Sequence, residues 1–261
     1  MKIIDFHTHI YPDKIAEKAT DAIGKFYDIE MDRVGSLDGL LKYSQRAGIE
    51  RCVVHSVATS PQQVQRINDF ICESVNAHPD RLSGFGTMHQ DYDNKLEEVD
   101  RCLKMGLKGI KLHPDTQAFN ADDERMLEVY DYLQDKAPVL FHCGDYRYDY
   151  SHPRRIANIC KMFPRLTVIG AHFGGYSVWE EAVEYLKPLD CMLDTSSSSA
   201  LMEEGMFERM IKTYGADRLL FGTDFPMWDS TEELSRFMSV PLTDEEREKI
   251  LWSNAARLLG Y

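Results

Sequence analysis

Short apolar runs recur along this chain, and the stretches between them repeat their apolar residues every three or four positions. The first pattern is typical of strands buried on both faces, and the second of helices that bury one face. The two patterns alternate from one end of the chain to the other. Eight strands are predicted, at 2–7, 51–57, 82–88, 107–113, 138–142, 166–172, 190–195 and 218–223.

The stretches between the predicted strands carry signals of helix starts. Pro61 and Pro153 each suit the first turn of a helix, where the missing N–H of proline costs nothing. Clear helices are predicted at 61–77, 95–105, 122–134, 153–163, 178–186 and 206–214.

Eight strands in strict alternation with helices predict a parallel sheet that closes into a (β/α)8, or TIM, barrel. A C-terminal helix, 243–259, follows the eighth strand and closes the fold, and Thr243 with Glu246 can form its capping box. The 261 residues suit one barrel of this type, and no linker or low-complexity stretch interrupts them. We therefore expect one domain, 1–261.

Composition narrows the classes of function. The net charge of -13, from 30 basic and 43 acidic residues, lacks the basic excess of a nucleic-acid binder. Six scattered cysteines form no CxxC pair, so they resemble buried hydrophobes rather than a disulfide or zinc framework. No apolar stretch approaches the ~20 residues that span a bilayer, and no signal peptide precedes the first strand. These features predict a cytoplasmic protein that binds neither membrane nor nucleic acid.

Five side chains suited to a divalent metal lie where apolar runs end. His7 and His9 follow the first run, and His142, His172 and Asp224 follow the fifth, sixth and eighth. Two histidines at positions i and i+2 of a strand project from the same face, so both imidazoles can reach one ion. Imidazole with carboxylate suits zinc, manganese or iron(II). The pattern therefore predicts a catalytic metal centre.

The alternation of strand faces adds two residues to this centre. In the fourth strand Ile110 and Leu112 suit the outer face, so Lys111 and His113 should point into the barrel. Polar side chains on inward faces near the carboxyl ends of strands are typical of a barrel active site. On the same argument, His55 of the second strand should support the site.

Five segments resemble the amidohydrolase superfamily, in particular the amidohydrolase-related branch. This branch contains hydrolases and also metal-dependent, oxygen-independent decarboxylases such as aminocarboxymuconate semialdehyde decarboxylase. The resemblance runs from Ile3 to Leu259. The segments are IIDFHTHI (3–10), GIKLHP (109–114), VLFHCG (139–144), VIGAHFGG (168–175) and LLFGTDFP (219–226).

The resemblance implies that His7, His9, His142 and Asp224 bind one divalent metal, for which zinc is the first expectation and Mn²⁺ or Fe²⁺ the alternatives. It places His172 beside this metal, either as a catalytic group that polarises the substrate or water, or as a ligand of a second ion. Asp224 is then placed to accept the proton of the attacking water and pass it to the leaving group.

Lys111 has three interpretations, one of which is a purely structural ion pair. A lysine at this strand of binuclear superfamily members carries a carbamate that bridges two metals, which would make Lys111 a second-metal ligand with His172. Alternatively, its ammonium group binds a substrate carboxylate. His113, two positions on, is expected to line the pocket and contact the substrate.

The loop after the fifth strand is expected to lie over the barrel mouth. Tyr146 and Arg147 could contact an anionic substrate there, because the guanidinium fork matches a carboxylate. The alternative is that Arg147 pairs with Asp145 or Asp149 of the same loop.

These features predict a metal-dependent hydrolase of a small, carboxylated amide, lactone or ester. The alternative is a metal-dependent, non-oxidative decarboxylase that uses the same ligands, with His172 or Asp224 assisting protonation at carbon. The compact chain favours hydrolysis over decarboxylation. A deoxyribonuclease of the same superfamily fits less well, because such enzymes carry glutamate where this chain has Lys111. A barrel that keeps its metal only for binding is disfavoured because no ligand position is missing. The sequence is also compatible with a homodimer.

Overall fold

The strands of the chain stand side by side in a closed ring. The structure, a computed structural model, describes residues 1–261. The third predicted strand, 82–88, is divided into two short segments, so nine segments occupy eight barrel positions. The segments are β1 (Ile4–His9), β2 (Arg51–His55), β3 (Leu82–Gly84), β4 (Gly86–Thr87), β5 (Ile110–Leu112), β6 (Val139–Phe141), β7 (Val168–Gly170), β8 (Met192–Asp194) and β9 (Leu219–Leu220).

Each segment pairs in parallel with the next one along the chain, except that β3 and β4 are successive halves of one strand: β3 pairs with β2, and β4 pairs with β5. The two halves of the third strand stay in register with their neighbours, because Phe85 N donates to Val54 O at 3.0 Å and Gly86 N to Gly109 O at 2.9 Å. The ring closes where Thr8 of β1 forms a bridge with Phe225, which follows β9. The predicted (β/α)8 barrel is confirmed.

Helices surround the ring and continue past its last strand. The helices are α1 (Asp13–Tyr27), α2 (Leu37–Arg46), α3 (Val64–Ala77), α4 (Lys95–Lys104), α5 (Pro114–Gln117), α6 (Glu124–Leu133), α7 (Pro153–Met162), α8 (Trp179–Leu186), α9 (Met206–Tyr214), α10 (Ser230–Met238), α11 (Asp244–Glu248) and α12 (Asn254–Leu259). The predicted closing helix consists of α11, a π turn and α12, and it begins with the expected capping box of Thr243 and Glu246. No helix combines the length and the apolar character needed to cross a bilayer.

The helix α1 was not among the helices predicted from the sequence. It follows β1 directly at the carboxyl end of the barrel, and α2 then occupies the usual place between β1 and β2. Its sequence does carry a signal, because Ile15, Ala19, Ile23 and Phe26 recur at helical spacing. The strict strand–helix alternation expected for the chain is therefore broken here, at the mouth of the barrel.

The interior of the barrel is apolar at one end and polar at the other. An apolar cluster fills the lower part of the ring, and α12 contributes Ala255, Ala256 and Leu259 to it. A register shift in β1 between Asp5 and Thr8 lets the buried Phe6 join this cluster while His7 faces the polar end. A larger cluster of 48 buried residues lies between the ring and the helices. This division leaves the carboxyl ends of the strands free for polar chemistry.

Gly109 tests the packing of the lower barrel. A Cβ atom at this position would lie 2.6 Å from the ring of Phe85 and 2.7 Å from the carbonyl oxygen of Pro138. We expect Gly109→Ala to lower the free energy of unfolding by about 1–3 kcal/mol, because the ring and the backbone must both shift. Lys108→Ala, at the exposed neighbouring position, should change it by no more than about 0.5 kcal/mol. Chemical denaturation measures both, and equal effects of the two changes would contradict this packing.

Candidate active site

A buried carboxylate holds the first histidine of the candidate site. Asp194 at the end of β8 accepts a hydrogen bond from His7 Nδ1 at 2.7 Å. It also accepts from the backbone N–H groups of His172, at 3.1 Å, and Ser196, at 3.0 Å. Burial would raise the pKa of Asp194, but His7, His172 and Ser196 together hold it well below its usual range. The ionised carboxylate therefore fixes the proton of His7 on Nδ1 and leaves Nε2 free to face the cavity.

Three groups surround the free Nε2 atom of His7. His9 Nε2 lies 3.2 Å away, Lys111 Nζ 3.3 Å away and the Asp224 carboxylate 3.5 Å away. His9 Nε2 is also 3.3 Å from the same oxygen of Asp224. The structure therefore brings together three of the four expected metal ligands, with Lys111 beside them.

A second group of imidazoles lies against the first. His172 Nδ1 donates to the carbonyl oxygen of Ser196 at 3.0 Å, which leaves its Nε2 to accept from His142 Nδ1 at 3.0 Å. The rings of His7 and His172 are 5.1 Å apart. In this arrangement His172 lies next to both His7 and His142.

Tyr27 of α1 extends the chain of hydrogen bonds beyond His142. Its hydroxyl lies 3.3 Å from His142 Nε2 and 2.8 Å from His113 Nε2. His113 Nδ1 accepts from Thr116 N at 3.4 Å, so His113 Nε2 carries the proton and donates to Tyr27, which in turn donates to His142. In this network the lone pair of His142 Nε2 accepts from the Tyr27 hydroxyl, so His142 is the expected metal ligand that the structure does not bring into direct contact with His7, His9 and Asp224.

The protonation states suit a bound cation. Burial lowers the pKa of His7 to about 4 and that of His142 well below its usual value, so both imidazoles are neutral near pH 7. Burial alone would raise the pKa of Asp224, but the neighbouring His7 and His9 hold it well below its usual range. Neutral imidazoles with an ionised carboxylate are the forms that bind a metal. Burial also lowers the pKa of Lys111 to about 8, so the lysine can gain or lose its proton close to neutral pH.

His55 provides an independent indication. It lies at the end of β2, wholly buried, and neither of its ring nitrogens has a hydrogen-bond partner. Its ring lies 4.8 Å from that of His7 and 4.4 Å from that of His9. A buried, unpartnered imidazole beside two others indicates that this end of the barrel is built to hold a further polar group or ion.

The site opens into a cavity of about 1180 Å³ at the barrel mouth. The predicted residues His7, His9, Lys111, His113, His142, His172 and Asp224 all line it. Tyr146 and Arg147 do not line it. Arg147 pairs with Asp145 through two nitrogens, at 2.6 and 2.9 Å, and Tyr146 is 77% exposed. The geometry thus matches the alternative for the loop, in which the arginine pairs with a neighbouring carboxylate.

Three residues of the site, Tyr27, Asp115 and Asp194, are not among the candidate site residues predicted from the sequence. The sequence does carry a signal for Asp194, because the residue lies on the side of its strand that faces into the barrel. Asp115 follows β5 in α5, and its carboxylate lies 3.5 Å from His142 Nε2 and accepts from Ser151 Oγ at 2.6 Å. Nothing in the local sequence connects Tyr27 with His142, because α1 brings them together only in the folded chain.

Comparison with known proteins adds relatives with defined reactions. The γ-resorcylate decarboxylase of Polaromonas sp. is 23% identical to this chain over 287 aligned positions, which cover 90% of this chain and 88% of the relative. The structure of a TIM-barrel protein from Bordetella bronchiseptica superimposes with a TM-score of 0.83, at 23% identity, over 100% of this chain and 99% of the other.

A third similar structure carries ligands. The 5-carboxyvanillate decarboxylase from Novosphingobium aromaticivorans, complexed with manganese and 4-hydroxy-3-methoxy-5-nitrobenzoic acid, has a TM-score of 0.79 at 15% identity, over 100% of this chain and 96% of the other.

These relatives bear on the choice between the two predicted reactions, hydrolysis and decarboxylation. Both relatives with a named reaction are decarboxylases, so they support the alternative better than the hydrolase that was first expected. The metal in that 5-carboxyvanillate decarboxylase structure is manganese, so the comparisons do not confirm the expectation of zinc. The family model described as Amidohydrolase matches residues 4–261. The chain therefore belongs to this family of amidohydrolase-superfamily enzymes.

Proposed function

We propose that this protein is a metal-dependent, non-oxidative decarboxylase of a small aromatic carboxylic acid. The observation that carries the proposal is a buried lysine, Lys111, placed 3.3 Å from His7 within a histidine–aspartate set. Such a site can hold a metal and a substrate carboxylate side by side. The similarity to decarboxylases across nine-tenths of the chain supports this reaction over hydrolysis.

The donor set at the floor of the cavity fits a divalent metal. His7, His9, His142 and Asp224 would hold it, and the neutral forms of His7 and His142 and the ionised form of Asp224 described above need no change of protonation to do so. When bound, the metal supplies Lewis-acid polarisation of substrate oxygen atoms. Asp194 would act on the metal only through His7, by keeping the proton on Nδ1.

Lys111 would bind the carboxylate that is lost. The residue is fully buried, and the carboxylates of Asp194 and Asp224 favour its charged form while burial opposes it. An arriving substrate carboxylate adds a further negative charge close to the ammonium group and thereby favours its protonated state. This role requires no carbamate on the lysine.

Loss of CO₂ leaves an electron pair on the ring carbon, and a proton must replace the departing carboxylate. His172 and Asp224 both line the cavity and are the groups placed to deliver this proton. His172 is connected through Ser196 to Asp194, and Asp224 accepts a hydrogen bond from Ser197 Oγ at 2.5 Å. Burial lowers the pKa of His172, and the neighbouring histidines hold that of Asp224 well below its usual range, so neither group starts in its protonated acid form. Whichever group protonates the ring carbon would first take the proton from water or from the hydroxyl group of the aromatic acid.

The reaction itself can be tested with substrates of both classes. The Mn²⁺-loaded protein should release CO₂ from an ortho-hydroxybenzoic acid such as 2,6-dihydroxybenzoate without consuming oxygen, and chelation should abolish turnover until Mn²⁺ is restored. The measurements are CO₂ release and mass spectrometry of the phenol product. A parallel panel of lactones, aryl esters and N-acyl amino acids serves as the control. Hydrolysis in that panel, with no CO₂ from any aromatic acid, would show a hydrolase instead.

Asp194→Asn tests the support of His7. The amide can donate to Nδ1 and so stabilise the wrong tautomer, in which Nε2 carries the proton and cannot bind a metal. We expect the affinity for Mn²⁺ to fall by about 10–100-fold, measured by competition with a chromophoric chelator. Asp190→Asn, at an exposed position just before β8, is the matched control and should leave the affinity unchanged. Unaltered affinity in Asp194→Asn would remove this aspartate from the metal centre.

Lys111→Gln separates substrate binding from metal bridging. Loss of the ammonium group should weaken binding of the aromatic acid by about 10–100-fold, because a buried charged partner is lost. The amount of metal bound per chain should stay the same. Lys108→Gln, at the exposed position three residues earlier, is the control for loss of a lysine. If the bound metal fell by half in Lys111→Gln, Lys111 would be a bridging ligand rather than a substrate contact.

A further inference from the structure

The cavity extends well beyond the histidine–aspartate set. Its outer part, called here the outer compartment, lies between α1 and α3 and has an apolar wall. Ile15 of this wall is 50% exposed, although it is a large aliphatic side chain. The wall consists of Ile15, Ala19, Ala22 and Ile23 of α1 with Ile67 and Phe70 of α3.

Three cations stand along this wall. Lys14 and Lys18 are one turn apart on α1, and Arg66 lies on α3. None of them forms an ion pair within 4.0 Å, whereas many other lysines and arginines of the chain do. The only carboxylate that lines the cavity is Asp224, at its inner end. Unpaired positive charge is thus concentrated at the entrance to the site, although the net charge of the whole chain is -13.

The size of the cavity also exceeds what a single ring requires. Its volume of about 1180 Å³ lies above the range of about 300–1,000 Å³ that is usual for small-molecule pockets. A benzoic acid held between Lys111 and the imidazoles would leave the whole outer compartment unfilled. The apolar wall is continuous with the reaction site through Phe26 and Tyr27, which line the same cavity.

We propose that the outer compartment is a second substrate subsite, and that the substrate is an aromatic acid with an apolar side chain of several carbons that ends in a second anionic group. This inference rests on the proposed function, since it extends the same site. The ring and the first carboxylate lie at the inner end, near Lys111. The side chain packs on the wall of α1 and α3, and the terminal anion faces Lys14, Lys18 and Arg66.

Unreactive analogues test the subsite without turnover. In 2-nitroresorcinol a nitro group stands in the place of the carboxylate, so no CO₂ can leave. The series contains this parent, its 5-pentyl derivative, and two derivatives whose side chains end in a carboxylate (4-carboxybutyl) or in its neutral isostere (4-carbamoylbutyl). Calorimetry on the Mn²⁺-loaded protein should show the pentyl compound binding about tenfold more tightly than the parent. The acid should bind about fivefold more tightly than the amide at low salt, and this ratio should approach one in 0.5 M salt.

Two variants connect these gains to the named residues. The triple variant Lys14→Glu/Lys18→Glu/Arg66→Glu should reverse the preference for the acid over the amide. Lys25→Glu, on the same helix but outside the cavity lining, is the matched control and should keep the wild-type ratio. Ala22→Trp places a large ring on the wall and should remove the advantage of the pentyl compound over the parent.

Several results would overturn the subsite. They are equal binding of the parent and the pentyl compound, equal binding of the acid and the amide, or the same shift in the triple variant and in Lys25→Glu. If Ala22→Trp converted a dimer to a monomer and left the ligand ratios unchanged, the wall would be an interface with a second copy. The proposed reaction fails separately, because it is contradicted when no aromatic acid releases CO₂ even though the analogues show the predicted gains.

Discussion

The buried carboxylate of Asp194 is the interaction on which the site depends. A charge with no solvent contact is stable only when donors surround it, and here the donors come from β1, from His172 two residues after β7 and from the loop after β8. The same hydrogen bonds therefore hold three parts of the barrel together and orient His7. Since the proton of His7 is fixed on Nδ1, its Nε2 is directed towards His9, Asp224 and Lys111, where a metal would be held.

The apolar side chains that stabilise the barrel and the polar side chains of the candidate site lie at opposite ends of the barrel axis. The lower ring is filled by apolar side chains and sealed by α12, so the upper ring can carry charges and imidazoles without weakening the packing below. Burial in the upper ring then sets the protonation states. Burial lowers the pKa values of His7 and His142, so these imidazoles are neutral, and it lowers the pKa of Lys111 to about 8. Contacts with the neighbouring imidazoles hold the pKa values of Asp194 and Asp224 low, so both carboxylates stay ionised. These are the protonation states in which imidazole and carboxylate groups can bind a metal ion.

The expected metal ligands were recognisable because a strand imposes a simple rule on its side chains. His7 and His9 share a face, and each of the other candidates follows an apolar run, so their convergence at one end of a barrel could be predicted. No comparable rule predicts where the side chains of Tyr146 and Arg147 point. A loop has no fixed side-chain direction, and Arg147 pairs with Asp145, which is only two residues away. Hydrolysis and decarboxylation could not be separated from the sequence pattern, because both reactions use the same ligand types.

The sequence by itself determined the barrel, its strand order and the side chains that gather at its polar end, because short apolar runs that alternate with helical patterns leave few other arrangements. Only the tertiary structure decided what surrounds them. Helix α1 crosses the mouth and brings Tyr27 against His142 and His113, and the wall of α1 and α3 extends the cavity outwards. These contacts join residues far apart in the chain, and they follow from how the helices pack rather than from any local pattern.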